Sequence, residues 1–248
     1  MPWVESGSPS FAARHESRDA DDVAGLLDLL EATREHIAEL LPVPQRRIAV
    51  VVHGAEAALD AAQPLTPVVR RLTAPAARRY VVGWFGRNEL HVLAPRLLDR
   101  RASGAAGSRE MVLLAPAALY VQLAVGDANP RLPPPFRPWS MARYRRWAWL
   151  QAGAGALLSG QAEHARASIA RRLREGPPPE FPPSVADAPL LGGTVLDLLA
   201  REEGMDAVAG LLTRPVGRGG PRHALVEAFG GRPAAHTEGT WRGHLGRV

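Results

Sequence analysis

An α+β fold is predicted by three observations: a β-branched run at 47–53, a hairpin pattern across 79–93, and helical periodicity that dominates from residue 95 onward. Sheet signals come early and helix signals late. That order predicts a small N-terminal β-sheet with a helix, followed by a mostly helical C-terminal half, rather than alternating βαβ units. The expected organisation is a flexible N-terminus at 1–14 and a single domain at 15–246. Its sheet-containing half spans 15–107 and its helical half 108–246.

Taken in order, residues 8–16 read as a short edge strand. Residues 19–41 are the clearest helix. Asp19 is placed to cap it, Asp21 and Asp22 suit its positive end, and Val23, Leu26, Leu27, Leu30, Ile37, Leu40 and Leu41 recur at helical spacing. Pro42 and Pro44 end it. The run Arg-Ile-Ala-Val-Val-Val-His at 47–53 fits a buried strand, and a short helix follows at 55–62. Strands at 79–85 and 89–93 are joined by the Gly86-Arg87-Asn88 turn. Helices are predicted at 95–101, 110–125, 141–158, 162–174, 193–203, 205–212, 222–229 and 237–245. Proline-rich runs at 130–138 and 177–183 read as extended connectors or as ligands for a polyproline-reading domain.

Composition narrows the chemistry. The 248-residue chain has no cysteine, which removes disulfides, thiolate metal sites and cysteine nucleophiles. All 30 basic residues are arginine, so no lysine-dependent phosphate loop can form. With Ala, Gly and Pro also abundant, a GC-rich bacterial genome accounts for that bias. A net charge of +5 is modest for this length and does not by itself imply nucleic acid. The start lacks a charged segment followed by an apolar run, and the longest apolar stretch, 111–126, carries Pro116 and Gln122. A cytoplasmic protein with no membrane partner is expected.

Residues 147–160 read Trp-Ala-Trp-Leu-Gln-Ala-Gly-Ala-Gly-Ala-Leu-Leu-Ser-Gly. This segment resembles the third-ligand helix of gluzincin metallopeptidases (peptidase MA-like), approximately W-L-x-E-G-x-A-x-Y-x-S-G. The order of elements is similar too, as are a late helix at 192–204 and the ending Phe229-Gly230 followed by Trp241-Arg242. The resemblance covers roughly residues 15–246 and implies a zincin-like architecture. In that family the glutamate before the glycine binds zinc, and an earlier helix carries H-E-x-x-H. Two histidines at i and i+4 share one helical face, and the glutamate between them activates the metal-bound water.

Here the glutamate position is Ala152, and the earlier motif, laid over Tyr120-Val121-Gln122-Leu123-Ala124, has neither histidine nor acid. No histidine lies between His91 and His164, and no acidic residue between Asp127 and Glu163. The resemblance therefore implies a fold without its chemistry: no catalytic residue, no metal and no cofactor. Its remnant cleft would be lined by Tyr120, Gln122, Leu123, Gln151 and Ala152, and could hold a peptide or a protein partner.

Other constellations are weaker. His53 and His91 sit on predicted strands and could meet at a sheet edge, as satisfied histidines or as metal ligands. The Gly217-Arg-Gly-Gly-Pro-Arg222 stretch reads as a loop, with phosphate contact as the sharper alternative. Arg143, Tyr144, Arg145, Arg146 and Trp147 mix cations with aromatic rings. That group supports an alternative function, an Arg-rich nucleic-acid-associated protein.

Overall fold

The computed structural model describes residues 2–132, 140–214 and 219–247. Residues 133–138 of the first proline-rich run, and 217–218 of the glycine-rich loop, lie outside the described residues.

The fold is α+β, with the sheet N-terminal and the second half mostly helical. Strands β1 (Trp3–Gly7) and β2 (Phe11–Glu16) form an antiparallel hairpin. Residues 3–7 were expected to be flexible and instead pair with residues 12–16 of β2. The Gly-Ser-Pro-Ser stretch at 7–10 is a turn, closed by the Ser8 amide donating to the Phe11 carbonyl. Strand β1 is the sheet edge that had been assigned to 8–16.

Helix α1 (Ala20–Ala38) crosses from β2 to β3 (Ile48–His53), which lies parallel to β2. Asp19 does not cap α1. Its buried carboxylate accepts from Arg96 Nε at 2.7 Å. Helices α2 (Glu56–Ala62), α3 (Thr66–Leu72) and α4 (Pro75–Arg78) lead to β4 (Gly83–Phe85) and β5 (Glu89–Leu93). The last two form the expected hairpin, but β4 is shorter than the 79–85 reading. β5 runs parallel to β3, which gives the order β1-β2-β3-β5-β4.

Alternation sorts the strands onto two faces. Phe11, Val50, Val52, Leu90 and Val92 are buried on the inner face, beneath α1. On the outer face Arg14, Ala49 and Glu89 reach solvent.

Helix α5 (Pro95–Arg101) matches its expected span. The helix predicted at 110–125 is two: α6 (Ser108–Leu113) and α7 (Ala115–Ala128). Pro116 has no amide hydrogen and so belongs in the first turn of a helix, where none is needed. Tyr120 of α7 meets Phe11 of the sheet edge-on, with centroids 5.0 Å apart.

Helix α8 (Met141–Leu158) is buried along most of its length. Helices α9 (Arg166–Glu175), α10 (Ala188–Glu203), α11 (Met205–Thr213), α12 (Pro221–Ala228) and α13 (Ala234–Leu245) complete the chain. A buried bidentate pair, Arg172 to Asp187 at 2.5 and 2.7 Å, ties α9 to the start of α10. The residues of 177–183 pack as an extended connector: Arg172, Arg242 and Arg222 donate to the carbonyls of Pro177, Pro179 and Phe181.

Helices α8 and α10 touch backbone to backbone. A methyl group on Gly192 would lie 2.4 Å from the Trp149 carbonyl oxygen, and one on Gly153 would lie 2.6 Å from the Gly192 carbonyl. Substituting Gly192→Ala should therefore lower the unfolding free energy by about 2–3 kcal/mol, the cost of overpacking. Gly210→Ala, in a helix with open space around it, should raise it by about 0.5–1 kcal/mol. Urea unfolding of the two variants checks the opposite signs.

Candidate functional site

A narrow cleft lies where α7, α8 and edge strand β4 converge. Ala115, Ala118, Leu119 and Gln122 line it from α7, Tyr144 and Ala152 from α8, and Gly83, Trp84 and Phe85 from β4. Helices α7 and α8 run antiparallel. Gly155 approaches the Ala118 carbonyl and the Gln122 side chain, while Gly126, further along α7, lies near Gln151.

Two of the five expected cleft residues, Gln122 and Ala152, face this space. Tyr120, Leu123 and Gln151 do not; all three are buried in the packing between helices and sheet. Helical geometry explains the division. Tyr120, Val121 and Ala124 belong to the stripe turned into the core, and residues 115, 118, 119 and 122 occupy the opposite face. The apolar stripe alone could have located that face, because a core-facing residue leaves its neighbour two positions away pointing elsewhere.

The cleft has room for about 60 Å³ of water-sized occupants. That accommodates a few waters and excludes a peptide backbone. Its polar groups are neutral. Gln161 is committed, donating to the Met111 carbonyl at 2.6 Å. Burial pushes the Tyr144 phenol up to about 12, so it serves only as a neutral hydrogen-bonding group at neutral pH. Among the described residues no carboxylate or imidazole lines the space, so they bring it no metal-ligand set and no carboxylate or imidazole base. Among the described residues no group of three His, Asp or Glu side chains is placed to hold a metal.

The basic-aromatic stretch separates by side. Arg143, Arg145 and Arg146 are exposed, whereas Tyr144 and Trp147 are buried. Neither ring is available for stacking on bases, which removes the aromatic part of the nucleic-acid reading.

His53 and His91 do meet, on the outer face of the sheet. His53 Nε2 lies 2.9 Å from His91 Nδ1, and Trp84 stacks on His91 with centroids 4.1 Å apart. One imidazole must be neutral to accept the shared hydrogen bond. Burial, and then the neighbouring His91, pushes His53 down to about 4. The Glu89 carboxylate is 3.6 Å from His91 Nε2, on the side away from His53.

Because the folded state binds this proton less readily than the unfolded chain, its stabilising contribution is complete above pH ~6.5 and is lost as pH falls toward ~4. Between pH 7 and 5 the unfolding free energy should drop by about 2 kcal/mol from this group. His53→Gln should flatten the decline, as measured by urea unfolding across that range. No family model, curated protein or solved structure matches the chain.

Proposed function

We propose that this chain is a gluzincin-type metallopeptidase scaffold that has lost its metal site and serves as a catalytically inactive binding or scaffolding module. The observation that carries the reading is the placement of three side chains. Ala118 and Gln122, at i and i+4 on α7, share the cleft with Ala152 of α8, the position at which the resemblance calls for glutamate. In this register H-E-x-x-H lies over Ala118-Leu119-Tyr120-Val121-Gln122, two residues earlier than the sequence suggested.

Methyl, amide and methyl then stand where two imidazoles and a carboxylate would bind zinc, and Leu119 stands where the general base would be. One amide oxygen is a weak ligand, and a working site needs three strong ones with a fourth position open. Further support comes from the edge strand β4 beside α7 and from the helical half packed behind α8. The small volume favours a structural role for the cleft itself, so any partner is bound elsewhere on the surface.

The test is metal analysis and peptidase assay of protein purified from zinc-supplemented culture. Fewer than about 0.1 zinc ions per chain, with no cleavage of quenched-fluorescent peptides above buffer, is the expected result. A stoichiometric, chelator-resistant ion contradicts the reading.

A further inference from the structure

We propose that a second groove, formed by the 177–183 connector with α8, α12 and α13, binds acidic peptide segments. It offers about 950 Å³ to water-sized occupants, against about 60 Å³ in the cleft. That lies in the range of ligand-binding pockets. The proposal does not depend on the metallopeptidase reading.

Four arginines from three helices converge on the groove, Arg145 and Arg146 from α8, Arg222 from α12 and Arg242 from α13, against two glutamates. Glu238 is held by Arg242 at 2.7 Å and approached by Arg222 at 4.0 Å. Arg145 and Arg146 are exposed and make no ion pair among the described residues. The positive N-terminal end of α12 opens onto the same space through Gly219 and Pro221.

A buried tryptophan lies beneath the arginines. Trp149 lines the groove and is 1% exposed, and its indole N–H has no acceptor among the described residues. A buried donor without a partner costs stability unless something supplies one. An acidic peptide fits these features, because its side-chain carboxylates can pair with the exposed guanidiniums of Arg145 and Arg146. Nucleic acid fits poorly, because Trp149 and Phe181 are too buried to offer ring faces to bases.

The test is fluorescence anisotropy of the full chain with fluorescein-labelled hexaglutamate at low salt, using hexalysine and an oligothymidylate as comparison probes. Saturable hexaglutamate binding is expected, weakened about tenfold or more by Arg145→Glu. Arg143→Glu, an exposed arginine on the same helix but outside the groove, should leave the affinity within about twofold. Circular dichroism confirms that both variants fold. The proposal is overturned by absence of hexaglutamate binding, by equal losses in the two variants, or by tighter binding of the oligothymidylate or hexalysine.

Discussion

The interaction on which the rest of the molecule depends is the close approach of α8 to its neighbours on both sides. Gly153 and Gly155 lie two positions apart, about 200° around the helix, and therefore face nearly opposite ways. Gly153 lets α10 come into backbone contact at Gly192, and Gly155 lets α7 settle against the Ala118 carbonyl and the Gln122 side chain. Each glycine inside a helix costs roughly 1 kcal/mol relative to alanine. Here that cost is offset by contacts no larger residue would permit. Because α7 also carries Tyr120 into the sheet against Phe11, α8 fixes the helical half relative to the strands. The same glycines bear on the resemblance. Gly153, the glycine of the W-L-x-x-G pattern, has a packing role whether or not a zinc ligand ever preceded it.

That packing also accounts for the narrow cleft. Bringing α7 so close to α8 leaves a slot for a few waters, whose polar lining includes the amides of Gln122 and Gln161 and the high-pKa phenol of Tyr144. The described residues that line it include no carboxylate and no imidazole. The charged chemistry of the molecule lies elsewhere, mainly in arginines that hold the 177–183 connector in place and line the larger groove beside it.

Much of the fold was legible in the sequence because a few segments carry unambiguous periodicity. The α1 helix, the β3 strand, the β4–β5 hairpin and α5 follow directly from leucine spacing, β-branching, a Gly-Arg-Asn turn and a leading proline. The elements missed are short and weakly patterned. β1 hides in a Gly-Ser-Pro-rich start, and α3 and α4 are brief turns begun by Pro67 and Pro75. The site was legible only in part. Gln122 and Ala152 face the cleft, whereas Tyr120, Leu123 and Gln151 are buried in the packing. In an Ala- and Leu-rich helix such as α7 the composition does not mark which side turns inward, and the burial of Tyr120 does. The groove at 177–183 escaped notice because its arginines come from segments far apart in sequence.

The central claim, that α7 and α8 still hold the geometry of a lost metal site, is tested most directly by putting the ligands back. The triple variant Ala118→His, Gln122→His and Ala152→Glu is purified, checked for native helicity and titrated with zinc by calorimetry. The account predicts one ion bound per chain with a dissociation constant of about 1 μM or tighter, released by chelator. A variant that folds normally and takes up no zinc contradicts it.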